Sequence, residues 1–202
     1  MSLYPLMLEG SALTAVIIGG GTVAARKASS LIAAGARIRV VAPSIAPELE
    51  LLRGDSTVEL VTALYSKDQI GDAQLVIAAT NDDAVNARVA ADAKALGRFV
   101  NVVSAPSAGN CVTPAVHRAG DVVVAVTAGG VPTAAARIRD DLAHKLDDRY
   151  ASAVKELSLL RRSLIDGDRR DRWSSASSAL VDDEFCRRVE SGRFDEAVAE
   201  WR

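Results

Sequence analysis

The chain has 202 residues, of which 49% are hydrophobic, 25% charged and only 4% aromatic, and its formal net charge is −2. This length fits one large globular domain, or a core domain with a smaller appendage, and the charge excludes the overall basicity of nucleic-acid-binding proteins. We recognise no signal peptide and no apolar stretch near the ~20 residues of a membrane helix. Cys111 and Cys186 do not form a disulfide framework, so we expect a cytoplasmic protein without nucleic-acid or membrane partners.

The first quarter of the chain predicts a strand, a glycine turn, a helix and a second strand. Ala15 to Ile18 is a short apolar run that ends in three glycines, and residues 23–34 carry Ala, Leu and Ile at helical spacing. Gly35 ends that helix, as a glycine directly after a helix commonly does. Residues 37–41 then show the β-branched residues of a strand. Together these segments have the size of one βαβ unit.

The alternation of strands and helices continues to residue 126. We predict helices over 45–53 and 83–96, and strands over 58–61, 75–79, 99–103 and 122–126. Thr80, Asn81 or Asp82 can cap the second of these helices. Strands that alternate with helices favour a parallel sheet with right-handed crossovers, so the predicted fold class is α/β.

The pattern changes after Gly130, where strand signals become rare. Residues 133–146 predict a helix, and leucines recur at helical spacing from residue 157 to 164. The serine-rich stretch 174–178 is predicted as a loop. We therefore expect domain boundaries near residues 112 and 147.

The turn after the first strand, Gly19-Gly20-Gly21-Thr22-Val23-Ala24, fits the pattern G-x-G-x-x-G/A. In this pattern the first glycine permits a tight turn, the second lets the backbone approach a pyrophosphate, and a small last residue allows close packing of helix on strand. The helix N-terminus then offers free N–H groups to the phosphates. Because the turn follows a predicted strand and opens a predicted helix, it indicates a dinucleotide site rather than a glycine-rich turn without a ligand.

The acidic residue that many NAD sites place at the end of the second strand is missing. That strand ends in Val41-Ala42-Pro43-Ser44, so Ser44 and backbone groups could replace the acid at the ribose. Arg37 and Arg39 lie within the strand. They either help to bind a 2′-phosphate or are ordinary solvent-facing residues, and we predict NAD as the cofactor.

Several further segments match the pattern of a known family in order and spacing. They are Tyr4-Pro5-Leu6, Arg26-Lys27, residues 31–36, Val41-Ala42-Pro43, residues 77–82, Asn101-Val102-Val103, Thr113-Pro114-Ala115 and residues 124–130. With the glycine loop, they resemble the precorrin-2 dehydrogenase and sirohydrochlorin ferrochelatase family, which includes the N-terminal half of siroheme synthases. Residues 77–82 and the Asn-Val-Val segment are the most specific matches.

The resemblance implies a Rossmann-like domain over 1–111, a dimerisation region over 112–146 and a helical C-terminal domain over 147–202, in a homodimer. It implies NAD-dependent oxidation of precorrin-2 to sirohydrochlorin in siroheme biosynthesis and, as in many members, insertion of ferrous iron. NAD is expected at the carboxyl ends of the strands, where such sheets bind ligands. The residues expected to contact it are Gly19, Gly21, Thr22, Val23, Pro43, Ser44, Thr80 and Asn81.

One position departs from the family pattern. An aspartate commonly follows the Asn-Val-Val segment and is regarded as the key catalytic residue, whereas this chain has Ser104. A carboxylate accepts a proton near neutral pH, but an unassisted serine hydroxyl is a poor base. Oxidation of precorrin-2 needs removal of a hydride to NAD and loss of a proton. Ser104 therefore either faces the substrate beside the nicotinamide as the catalytic residue or only fills a turn before Pro106.

Basic residues and histidines in the second half of the chain are further candidates. Arg118 and Arg137 are predicted to bind the carboxylates of the tetrapyrrole, because arginine pairs with carboxylates through two hydrogen bonds; ordinary surface charge is the alternative. His117 and His144 have no neighbouring cysteine, so we predict no permanent metal site. Two other functions stay open, a non-catalytic NAD-sensing module and a protein that carries a tetrapyrrole without oxidising it.

Overall fold

The computed structural model describes residues 3–202 and consists of two compact units. The first unit ends at Thr113 and the second runs from Pro114 to Arg202. The division lies close to the boundary expected near residue 112, and separate domains on either side of residue 147 stay a prediction. No helix in the described part of the chain is long and apolar enough to cross a membrane.

The first unit is built on a sheet of five parallel strands. These are β1 (Thr14–Ile18), β2 (Arg37–Ala42), β3 (Val58–Thr62), β4 (Leu75–Ala78) and β5 (Phe99–Val102). Their order in the sheet is β3-β2-β1-β4-β5. The chain places β2 and β3 on one side of β1 and then β4 and β5 on the other side, so the strand order reverses between β1 and β4. Ile18 pairs with Val41 of β2 and with Ala78 of β4, which brings the carboxyl ends of the three central strands level. The predicted Rossmann-like parallel sheet is confirmed.

Helices cover both faces of this sheet. They are α1 (Thr22–Ile32), α2 (Pro47–Glu50) and α3 (Asp83–Ala95). Val16 and Ile18 pack with α3, whereas Ala15 and Ile17 pack on the other face with α1 and α2. Successive strand residues point to opposite faces, so a strand covered on both sides must be apolar throughout. Burying one such isoleucine side chain contributes roughly 1.5–3 kcal/mol.

The second unit combines a two-stranded sheet with helices. Its elements are β6 (Ala115–Ala119), β7 (Val122–Val126), α4 (Pro132–Lys145), α5 (Asp148–Asp166), α6 (Arg170–Leu180), α7 (Phe185–Glu190) and α8 (Phe194–Ala199). Its core includes Leu160, Leu164 and Leu180, and the rings of Phe185 and Phe194 meet edge to face with centroids 5.3 Å apart. The predicted helical C-terminal region is confirmed.

The strand predicted over residues 122–126 is present, and it does not belong to the parallel sheet. This segment is β7, which pairs antiparallel with β6 in a separate sheet. Only Gly120 and Asp121 separate the two strands, and Gly120 has a φ of +56°. Such a tight turn joins antiparallel neighbours, whereas parallel strands need a long crossover.

The predicted loop over residues 174–178 was wrong, because this stretch lies inside α6. Ala176 is fully buried and Leu180 nearly so, and both pack in the core of the second unit. Serines favour turns in isolated sequence, but tertiary packing of an apolar face overrides that weak preference. The helix predicted over 45–53 is shorter than expected, since α2 covers only Pro47–Glu50.

Candidate functional site

The three glycines after β1 each meet a different environment. Gly19 has a φ of +130°, and a Cβ at this position would lie 2.3 Å from the carbonyl oxygen of Ala79. A Cβ on Gly20 would lie 2.0 Å from the carbonyl oxygen of Ser44. A Cβ on Gly21 would meet no atom within 4 Å, and this residue is exposed. The first two glycines therefore let backbones approach, and the third leaves open space beside the chain.

Helix α1 begins directly at this open space. Gly21 is its N-cap residue and offers no side chain to cap the first turn. The N–H groups at the start of a helix have no partner within the helix and carry its positive dipole end, so they suit an anion. Thr22 is exposed and Val23 half-buried at this end, while Ala24 is fully buried against the sheet. This uncapped helix N-terminus suits a dinucleotide pyrophosphate, and the contacts of Gly19, Gly21, Thr22 and Val23 with NAD stay a prediction.

The loop after β2 is tied to the glycine loop. The N–H of Gly19 donates to the carbonyl of Val41 at 2.9 Å, and the N–H of Ala46 donates to the carbonyl of Gly20 at 2.8 Å. Pro43 and Ser44 are consequently exposed beside the glycines. Sequence reasoning assigned no role to Gly20, although a third consecutive glycine, beyond the two that the motif requires, was a signal of this close approach.

The loop after β4 is organised by Asn86, whose side chain is 1% exposed. The amide oxygen of Asn86 accepts hydrogen bonds from the backbone N–H of Thr80 at 3.1 Å and from its hydroxyl at 2.8 Å. Its amide nitrogen donates to the Thr80 carbonyl at 3.0 Å. Thr80 is thus held within the loop and Asn81 is exposed at its tip, while Asp82 accepts hydrogen bonds from Ala84 and Val85 as the cap of α3. Contacts of Thr80 and Asn81 with NAD stay a prediction.

Ser104 lies in the loop after β5 and is exposed. Its hydroxyl donates to the Oδ1 atom of Asp83 at 3.0 Å and accepts a hydrogen bond from the Nδ2 atom of Asn86 at 3.4 Å. Sequence reasoning missed both partners. No local sequence pattern indicates either partner, because both lie on α3 and are distant from Ser104 in the sequence.

The arginines of β2 lie away from this edge. Arg37 opens the strand and is about 16 Å from Ala42, because a strand rises ~3.3 Å per residue. Arg39 bonds to Glu59 at 2.6 Å. Both arginines, with Asp72, line a cavity of about 360 Å³ at the amino ends of the strands. That is the opposite edge from the glycine loop, so a role for either arginine at a 2′-phosphate is wrong.

Cys111 is not suited to nucleophilic chemistry. Burial raises the pKa of its thiol to about 11, so the thiol is protonated at neutral pH. Burial also lowers the pKa of Lys27 on α1. The carbonyl of Cys111 accepts a hydrogen bond from the side chain of the buried Asn101 at 3.2 Å, which gives the Asn-Val-Val segment a structural role.

The candidate residues of the second unit lie on β6 and α4. Arg118 and Arg137 are exposed, and neither forms an ion pair within residues 3–202; their binding of substrate stays a prediction. His117 was expected before a strand but lies within β6, where its Nε2 atom is 2.7 Å from the carbonyl oxygen of Leu146. That bond gives His117 a structural role. Within the described residues no three His, Cys, Asp or Glu side chains converge as a metal site.

Comparison with known proteins gives a family and close relatives. A family model described as "Putative NAD(P)-binding" matches residues 6–115. The siroheme synthase of Saccharophagus degradans is 37% identical over 178 residues, covering 86% of this chain and 39% of that protein. The siroheme synthase of Chromobacterium violaceum is 34% identical over 217 residues, covering 98% of this chain and 46% of that protein. The chain therefore spans less than half the length of these relatives.

The fold also matches a solved structure over nearly its whole length. A structure titled SirC, precorrin-2 dehydrogenase, gives a TM-score of 0.76 at 25% sequence identity. The match covers 98% of this chain and 98% of that chain, so it includes residues from both units.

Proposed function

The chain belongs to this NAD(P)-binding family, and on that premise we propose that it oxidises precorrin-2 to sirohydrochlorin with NAD as hydride acceptor. The resemblance expected from the sequence is confirmed by the siroheme synthases and by the precorrin-2 dehydrogenase structure. The observation that carries the proposal is that this likeness extends over 98% of both chains and is not confined to the dinucleotide-binding unit.

The edge of the sheet supports this chemistry through three loops. The first turn of α1 holds the pyrophosphate in the open space at Gly21, and the Asn86 network keeps the Thr80 loop in one conformation. When bound, NAD supplies the acceptor for the hydride. Ser104 then contacts the macrocycle and orients the bond that breaks. Orientation of this kind can contribute ~7–11 kcal/mol to a rate enhancement in favourable cases.

NAD is favoured over NADP at this site. Arg37 and Arg39 lie at the far edge of the sheet, so they cannot meet a 2′-phosphate. Ser44 is exposed beside the glycine loop and can donate a hydrogen bond to a ribose hydroxyl.

We also propose that the second unit forms a homodimer and that the protein works in the cytoplasm. Large apolar side chains are exposed on this unit, Val116 on β6, Val131 before α4 and Ile138 on α4, with exposed fractions of 38%, 51% and 47%. A two-stranded sheet is marginal alone and has open edges, which a partner subunit would cover. The two cysteines are free, as expected in a reducing compartment.

Anaerobic absorbance spectroscopy tests the proposed reaction. Purified chain, precorrin-2 and NAD are mixed, and the spectrum of sirohydrochlorin is followed, with NADP in a parallel sample. We expect turnover with NAD and a much lower kcat/KM with NADP. Tight binding of precorrin-2 without oxidation would instead indicate a tetrapyrrole carrier, and NAD binding without any affinity for precorrin-2 would indicate an NAD-sensing module.

A further inference from the structure

The carboxylate of Asp83 lies within hydrogen-bond distance of Ser104. The hydroxyl of Ser104 donates to the Oδ1 atom of Asp83 at 3.0 Å, and its Oγ atom accepts a hydrogen bond from the amide of the buried Asn86 at 3.4 Å. An ionised carboxylate only accepts hydrogen bonds, so the serine proton points to Asp83. A hydroxyl oxygen has two lone pairs, and Asn86 uses one of them, so the exposed Oγ atom can still accept a proton or a hydrogen bond. This is the arrangement in which a hydroxyl becomes an assisted proton acceptor.

We propose that Ser104 and Asp83 form a proton relay for the oxidation, an inference that rests on the proposed function. In the step, a C–H bond of the macrocycle breaks and its hydrogen leaves with both electrons as hydride to NAD⁺. An N–H bond of the macrocycle breaks, and its electron pair stays in the newly conjugated ring system. That proton passes to the Oγ atom of Ser104 as the serine proton moves to Asp83. The products are the oxidised macrocycle, NADH and one proton, which Asp83 releases to solvent.

Ser104 is the catalytic residue in this relay and Asp83 acts through it. Asp83 stands at the first position of α3, where a carboxylate also stabilises the helix dipole. A purely structural role would therefore change stability and leave the rate of oxidation unchanged. The neighbouring Asp82 is a matched control, because its carboxylate caps α3 through Ala84 and Val85 and makes no bond to Ser104.

A mutant cycle on the full chain tests the relay. We expect Asp83→Asn and Ser104→Ala each to lower kcat roughly 100-fold, the scale of acid–base catalysis, with the Kd for NAD within twofold of wild type. Because the two residues act as one unit, the double variant should lose no more than either single variant. Asp82→Asn should keep wild-type kcat.

A fifth variant distinguishes two causes of a lowered kcat, the loss of the proton relay and the loss of local structure. Ser104→Asp in the Asp83→Asn background returns a carboxylate to direct reach of the substrate, so we expect kcat to recover to within about tenfold of wild type. Wild-type turnover together with an unchanged kcat in Asp83→Asn would overturn the relay alone. Losses that multiply in the double variant, without recovery by Ser104→Asp, would also overturn it. A wild-type chain that forms no NADH would overturn the proposed function and the relay with it.

Discussion

At the scale of single residues, the site depends on three glycines that lack a Cβ atom as well as on polar side chains. Gly19 and Gly20 lack a Cβ because a neighbouring carbonyl oxygen occupies its place, at 2.3 and 2.0 Å respectively. Gly21 lacks one where nothing of the described chain stands nearby. The same residue type therefore has a folding role at two positions and, in the proposed site, a binding role at the third.

Replacement of single glycines separates these roles. Gly19→Ala should lower the free energy of unfolding by at least roughly 1–3 kcal/mol, because its φ of +130° strains any side chain and the Cβ meets Ala79. Gly21→Ala, with a φ of −91°, should change it by less than about 1 kcal/mol. It should nonetheless weaken NAD binding at least tenfold, about 1.4 kcal/mol. Urea unfolding and calorimetric titration measure the two effects, and unchanged NAD affinity in Gly21→Ala would contradict the assignment.

Asn86 should behave as a buried polar anchor. Asn86→Ala leaves the N–H and carbonyl of Thr80 without partners, so we expect a loss of about 1–3 kcal/mol in the free energy of unfolding. Asn81→Ala makes the same chemical change at an exposed position of the same loop and should leave stability within about 0.5 kcal/mol of wild type. Equal losses in the two variants, measured by urea unfolding, would show that the network does not stabilise the loop.

At the scale of elements, helix α3 connects the Thr80 loop, Ser104 and the body of the first unit. Its inner face buries Val89, Ala90 and Ala93 against the sheet. Farther along, the hydroxyl of Tyr65 donates to Asp92 at 2.9 Å. Burial, and then this hydrogen bond, raise the pKa of Tyr65 well above its usual value of about 10.

This shift predicts how stability changes at alkaline pH. The folded chain favours the neutral phenol of Tyr65, so the contribution is fully present below about pH 10 and is lost as the pH rises above it. Tyr65→Phe should therefore lower stability at neutral pH by about 0.5–1.5 kcal/mol and reduce the alkaline decline of the unfolding free energy. Denaturant titrations from pH 8 upward test this, with Tyr4→Phe at an exposed ring as the control. A decline as steep in Tyr65→Phe as in wild type would contradict the shift.

Elements with a strong local sequence pattern could be predicted from the sequence. Elements whose conformation depends on contacts with distant parts of the chain could not. The strands of the parallel sheet are apolar runs and the glycine loop has a fixed spacing, so both follow from local sequence. Residues 174–178 form a helix only because Ala176 and Leu180 find a core to pack in. Likewise, Asp83 and Asn86 reach Ser104 across 21 and 18 positions of sequence, and no local pattern reports a contact of that range.

At the scale of the whole molecule, each unit has a core of its own and the second unit exposes apolar side chains. In the proposed homodimer these side chains are covered. Ile138→Glu would bury a charge in that interface, so we expect it to convert the dimer to a monomer in light scattering after gel filtration. Leu51→Glu, at an 85% exposed position of the first unit, is the control. A wild-type chain that is monomeric at micromolar concentration would contradict the dimer.

The destination of the hydride tests the central claim most directly. A known amount of precorrin-2 is incubated anaerobically with the full chain and excess NAD⁺, and NADH and sirohydrochlorin are quantified from one sample. We expect the two products in equimolar amounts, and we expect both to form more slowly in a sample with Gly21→Ala at NAD⁺ concentrations below the Kd of that variant. Sirohydrochlorin formed without NADH, or at the same rate when NAD⁺ is left out, would show that this chain does not use the dinucleotide site for the oxidation.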